Sequence, residues 1–324
     1  MPLFFPEPAM NALSLPPLVA ALALSGVWAL PRAAQAETGK LLLTGGVSTV
    51  SGPAGGGMVP WAVIGTQATE GEVGVTAHAT RVGTLDYALK SYGATVGVHD
   101  RVEVSVARQD FDADAAVALN AIAPFGVEPG ARLKMDIVGV KVKLLGDAIL
   151  EAHTLIPQVA VGVEHKRLHA GSLGHVLDFL GTDRSGTDLY VSASKLLLDK
   201  GLLLTGTLRY TRANQNGLLG FGAAGPGRDG YSLQPEISVA YLLRRDLAIG
   251  AEYRFKPDNL RALGEAAGLG NGLQEDDWKD VFIAWAPHKS LSLTLAYVDL
   301  GRIVPGITRN KRQTGWYVSA QAGF

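Results

Sequence analysis

Three histidines, His165, His169 and His175 in EHKRLHAGSLGH, are the first candidates for chemistry in this chain. Imidazoles bind zinc and copper, but Glu164 is the single carboxylate beside them and the segment opens a loop. Solvated loop histidines are the simpler reading, and no metal site is assigned. Hydrolysis would need a nucleophile, a base and an orienting group in register. Serines, histidines and acids are present, yet no G-x-S-x-G elbow occurs and the spacings select no triad. The glycine run AGGG at 54–57 lacks a GK[ST] ending and precedes no helical pattern, so it is not a phosphate loop. No catalytic or cofactor-binding residue is assigned, and no cofactor is expected.

Charged residues give a stronger signal, because many recur at alternate positions in otherwise apolar segments. Lys141, Lys143, Lys166, Arg209, Arg254 and Lys256 fall on the same faces as Gly93, Thr95, Gly97, Ser105, Thr205, Thr207, Ser292 and Thr294. Glu72, Glu103, Glu164, Glu236, Glu252 and Asp280 oppose them in sign. Val104, Val140, Val161, Leu204, Ile249, Ile283 and Leu293 take the other face. Mixed small and charged residues behind an apolar face are what the lumen of a barrel requires, whereas the outer face of a soluble sandwich should be denser in charge.

The elements that must position these residues follow from the same period of two. EVGVTAHATRV at 72–82 puts Val73, Val75, Ala77 and Ala79 opposite Gly74, Thr76, His78 and Thr80. Fourteen approximate strands result: 40–50, 58–68, 71–82, 89–99, 102–112, 134–145, 155–166, 187–197, 201–212, 232–243, 246–256, 278–286, 290–299 and 314–324. Connections after even strands are short; most of those after odd strands are long, at 113–133, 167–186, 213–231, 257–277 and 300–313. That parity is the mark of an antiparallel transmembrane β-barrel with short periplasmic turns and longer external loops. Segment 40–65 is glycine-rich and contains Pro60, so the alternative is a barrel of twelve strands in which one of its two strands folds into the lumen. Leu260, Leu263 and Ala267 have helical spacing within the loop segment 258–269.

Both ends fit export and insertion. PPLVAALALSGVWAL at 16–30, followed by Ala34-Gln35-Ala36, reads as a signal peptide over residues 1–36, leaving 37–324 as an outer-membrane barrel. In QTGWYVSAQAGF, Trp316, Val318 and Phe324 share the apolar face, the pattern expected to engage the outer-membrane barrel assembly machinery. Tyr210, Tyr253, Phe255, Trp285, Tyr297 and Trp316 lie toward strand ends, where aromatic girdles meet the lipid interface. Residues 37–324 hold no apolar run near the roughly 20 residues of a spanning helix. The chain has no cysteine, which excludes a disulfide scaffold, a thiol nucleophile and a lipidated cysteine. A formal charge of -1 without a basic tract gives no pull toward nucleic acid.

Four stretches, GKLLLTGGVSTVSGPAGGGMVPWAVIG (39–65), RVGTLDYALKSYGATVGVHDRVEVSVARQDFD (81–112), DIVGVKVKLLGDAI (136–149) and PQVAVGVEHKR (157–167), resemble a family of proteobacterial outer-membrane proteins catalogued as domain of unknown function 3034. The resemblance implies an envelope barrel and carries over no activity, ligand or catalytic residue. The expected role is therefore a pore or solute transporter in the cell outer membrane, in contact with its lipid and with a small solute. A structural or adhesive role and an outer-membrane hydrolase are the alternatives. The lumen residues at stake are Lys141, Lys143, Lys166, Arg209, Glu236, Glu252, Arg254, Lys256 and Asp280.

Overall fold

Alternating residues pair into a closed antiparallel barrel of twelve strands. The structure is a computed structural model and describes residues 40–149, 154–224, 230–308 and 310–324; the expected signal peptide lies outside them. A short hairpin, β1 (Val47–Ser48) with β2 (Ala54–Gly55), precedes the barrel. The wall then runs β3 (Val73–Thr84), β4 (Ala88–Val98), β5 (Val102–Asp112), β6 (Arg132–Leu145), β7 (Gln158–His169) and β8 (Ser185–Leu197). It continues through β9 (Leu202–Thr211), β10 (Ser232–Arg244), β11 (Leu247–Arg254), β12 (Trp278–His288), β13 (Leu291–Asp299) and β14 (Thr314–Gly323). Closure comes from β14 on β3: Phe324 N–H donates to the Val75 carbonyl at 2.8 Å, and Val75 N–H returns to that of Phe324 at 3.0 Å. No edge is left unpaired.

The alternation sorts the wall into two faces. Val75, Val104, Val140, Leu204, Ile249, Ile283 and Leu293 are exposed on the outside, while Thr76, Thr95, Ser105, Thr205 and Thr294 are buried within. At the short-turn end, His99 and Asp100 both take left-handed backbone (φ 54° and 49°), the twist a tight turn between β4 and β5 needs.

Expected strands 40–50 and 58–68 are not part of the wall, which corrects fourteen strands to the alternative of twelve. The reason is visible in their burial. Val47, Val50, Met58, Val59, Trp61, Val63 and Ile64 are all buried, on successive as well as alternate positions, so this segment has no outward face to offer. Its prolines and glycines also break a long ladder. It lies inside the barrel instead, and the hairpin β1–β2 is its sole regular element among the described residues.

The long loops gather at the opposite end around one apolar cluster. Helix α1 (Gly174–Leu180) contributes Leu177 and Leu180, and helix α2 (Arg261–Ala266), within the segment expected to be helical, packs beside Leu260 and Leu273. Phe111, Leu133 and Leu168 from the strand ends and Ile303 from the last loop complete it.

Candidate functional site

The lumen is the site, and residues 40–68 fill it. Extended and turning chain leaves N–H and C=O groups without sheet partners, and buried backbone groups must be satisfied. Wall side chains supply those partners. Glu252 accepts N–H bonds from Met58 (2.7 Å) and Val59 (3.2 Å). Glu103 accepts from Ala54 (3.1 Å) and Gly65 (2.6 Å). Lys141 donates to the Ala54 and Trp61 carbonyls, each at 3.2 Å, and pairs with Glu103 at 3.0 Å. From the far side of the barrel, Ser194 accepts from Ala62 N–H (2.9 Å) and Ser238 from the Trp61 indole (3.0 Å). Ser192 and Thr207 both donate to Pro60, Arg254 donates to Met58, and Gln109 and Ser91 donate to Val50. The segment is therefore bound from two sides of the barrel, by β4 to β6 and by β8 to β11.

Beside this hatch runs a buried charge chain across β7 to β11. Lys166 pairs with Asp188 (2.7 Å) and Glu164 (3.3 Å). Arg209 spans Glu164 (3.0 Å), Asp188 (3.5 Å) and Glu236 (2.6 Å), and Arg254 reaches Glu236 at 3.0 Å. All of these side chains are under 5% exposed. Such density of opposed charge is tolerable away from water only because each member meets several partners. The charge chain is thus satisfied within itself, while Glu103, Lys141, Glu252 and Arg254 also bind the hatch.

A second segment enters from the loop end. Residues 212–224 turn inward through Gln215 and Asn216, both left-handed (φ 46° and 58°) and both buried. Asn216 accepts from Lys166 Nζ at 2.7 Å and donates to Ser51 Oγ of the hatch at 3.3 Å. Gln215 N–H donates to Glu275 (2.7 Å), which pairs with Lys256 at 3.1 Å. Burial pushes the Glu275 carboxyl up and the Lys256 ammonium down. Hatch and loop therefore touch in the middle of the barrel.

The nine residues singled out from sequence take distinct places. Lys141, Lys166, Arg209, Glu236, Glu252 and Arg254 are gathered in the buried interior, and Asp280 sits opposite Glu252 in the β11–β12 register. Lys143 stands apart at the short-turn end, paired with Asp100 at 2.8 Å. Lys256 lies beyond the end of β11, under the loops. Trp316 and Phe324 are exposed on the outer face and Val318 is half-buried between them; Trp316 packs edge-on against Tyr297 at 5.3 Å. His165 bonds Thr187 and His169 bonds Asp136 on that outer face, and no group of metal-ligand type is assembled among the described residues. Asp188 and Glu275 went unremarked in the sequence. Asp188 alternates correctly in GTDLYVSAS and was legible; Glu275, on a loop, had no periodic signal.

Solved structures of similar fold are remote. The KdgM porin in complex with disordered oligogalacturonate aligns over 77% of this chain and 99% of its own, at 9% identity and a TM-score of 0.44. The NanC porin aligns over 76% of this chain and 98% of its own, at 10% identity and 0.46. Outer membrane phospholipase A from Escherichia coli aligns over 78% and 92%, at 10% identity and 0.38. No curated protein sequence matches. A family model described as "Protein of unknown function (DUF3034)" matches residues 44–321, hatch and barrel together, and the chain belongs to that family.

Proposed function

We propose that this protein is an outer-membrane transporter whose conduit is closed by its own N-terminal hatch, and that it is not a constitutively open pore. Membrane insertion is supported by the outward band of exposed Val, Leu and Ile on every side of a sheet without edges. Aromatic pairs Tyr210–Tyr231, Tyr253–Phe255 and Tyr297–Trp316 fit an interfacial girdle. Residues 1–36 act as the export signal, and Trp316, Val318 and Phe324 present the terminal strand to the barrel assembly machinery.

The observation that carries the transport reading is the manner in which the hatch is held. Its backbone is bound by side chains from the wall, and it joins β3 through the short turn at 69–72, where Glu72 accepts from Thr69 N–H and hydroxyl. The segment also packs Val47, Val50, Trp61 and Val63 against wall residues such as Leu203, Ala240 and Phe282, but its backbone is held by hydrogen bonds that can be exchanged for water. Planar-bilayer recording tests this. The intact protein should be silent at low voltage, and a variant lacking residues 40–68 that keeps heat-modifiable gel migration should show stepwise current. Steady conductance by the intact protein, equal to that of the hatchless variant, would overturn the reading.

A further inference from the structure

We infer that the external loops form a binding site for a neutral lipophilic molecule of about two fused rings, and that this is the first station of the transport path proposed above, on which the inference rests. Under the loop cap lies a cavity of about 290 Å³. It is walled by α1, by the 3-10 turn at 114–121 and by the loops leading to β12 and β14, with Phe111 and Leu133 from the strand ends as its floor. Its lining is apolar throughout. Tyr87 alone brings a hydroxyl, and that hydroxyl is turned onto the Ile303 carbonyl at 3.4 Å.

Volume and chemistry together select the ligand. A dry apolar cavity of about 150 Å³ accepts benzene, so a space near twice that size suits a bicyclic or similarly compact hydrocarbon. A peptide is excluded, because its amides would be buried against walls with nothing to bond them. A carboxylate or ammonium would lose its hydration without gaining a counter-ion. The lip of the cavity is also apolar: Ile122, Phe179 and Leu269, from three different loops, are 57%, 47% and 36% exposed. Exposed apolar side chains converging on one opening mark an entry rather than scattered surface residues.

The site also reaches toward the hatch. Leu219 lines the cavity, and four residues stand between it and Asn214, whose loop carries Asn216 onto Ser51. An occupant pressing on Leu219 therefore bears on the segment that touches the hatch.

Naphthalene is the probe. Titrated calorimetrically into the full barrel in phosphatidylcholine nanodiscs, with empty nanodiscs as blank, it should show a saturable component above partitioning. Ala116→Phe, which fills the cavity, should weaken that component at least tenfold. Ala267→Phe, at the exposed rim where folding is not at risk, should do the same. Naphthalene-2-carboxylate should bind at least tenfold more weakly than naphthalene. Absence of a saturable component, or its persistence in both variants, would overturn the site; so would a co-purified lipid chain that naphthalene fails to displace, since the cavity would then be an acyl-chain berth. Binding with a hatchless barrel that stays silent would sink the transport reading and leave the site standing, whereas conductance without binding would do the reverse.

Discussion

Removal of Glu103 should loosen the hatch by an amount that follows from its contacts. Its carboxylate is 1% exposed, accepts the Ala54 and Gly65 N–H groups at 3.1 and 2.6 Å, and neutralises Lys141 at 3.0 Å. Glu103→Ala leaves two buried donors and one buried ammonium without their anion. Breaking a buried ion pair from one side costs about 3–5 kcal/mol, and the two N–H bonds belong to the same carboxylate, so they are not added again. The penalty applies to the closed state alone, because water meets all three groups once the hatch leaves. At about 1.4 kcal/mol per decade the open population should rise roughly 100-fold to 3000-fold. The chain has no cysteine, so Ser51→Cys places a single thiol on the hatch. Its rate of maleimide labelling follows the open fraction as long as opening and closing outpace modification. Labelling should accelerate by that factor in Glu103→Ala, with heat-modifiable migration as the check on the barrel. Adding Lys141→Met should recover only the part due to the buried charge, since the Ala54 and Gly65 N–H groups and the Ala54 and Trp61 carbonyls then stay without partners. An acceleration below about tenfold, or a double variant as fast as the single one, would refute the account of the hatch as charge-clamped.

Two further outcomes are expected. Deleting Phe324 removes the residue that exchanges backbone bonds with Val75 where the barrel closes, so the yield of heat-modifiable protein should fall well below that of Gln321→Ser, whose side chain faces inward. Equal yields would defeat the assembly role. In the loops, Arg302 donates to both oxygens of Asp276 at 2.7 and 2.8 Å, and this hydrogen bonding holds the Asp276 carboxyl below the ordinary carboxylate range. A lowered folded-state value means the stabilisation is complete above the unfolded aspartate value and fades as pH falls through the folded one. Protease cleavage of the last two long loops should therefore quicken under acid, and Asp276→Asn should be equally cleavable at neutral pH and lose that acid response. An unchanged acid response in the variant would show that another group governs it.

The wall was legible because lipid-facing and inward residues must alternate, and a pattern of that kind survives any detail of packing. Departures at strand ends have local causes. β7 was expected from 155 but begins at Gln158, since Pro157 has no N–H to give the ladder. It runs on to His169 because that residue pairs with Lys134 in register and its ring bonds Asp136. β11 was expected to reach 256 but stops at Arg254, where Lys256 N–H turns to Asp277 at 3.0 Å. The hatch was anticipated only in part. Its glycines and Pro60 pointed to the alternative of twelve strands, with one strand of 40–65 in the lumen, but Val47 to Ile64 also reads as strand-forming, and the apolar pattern did not show that both expected strands lie inside.

What the alternation could have revealed is a mismatch in the lumen itself. Glu103, Glu164, Glu236 and Glu252 point into a space shared with Lys141, Lys166, Arg209 and Arg254, where Lys166 serves two acids and Arg209 three. In an open aqueous conduit these groups would need no such sharing, because water screens them. Glu252 departs furthest from an ion-pair role, since both its oxygens are taken by hatch amides. An inward acid whose partners are backbone donors implies a backbone within the barrel. Among the charges that look like the lining of a pore, Glu103, Lys141, Glu252 and Arg254 are partners of the inserted segment, so on the transport reading proposed above a solute would have to displace that segment before it met them.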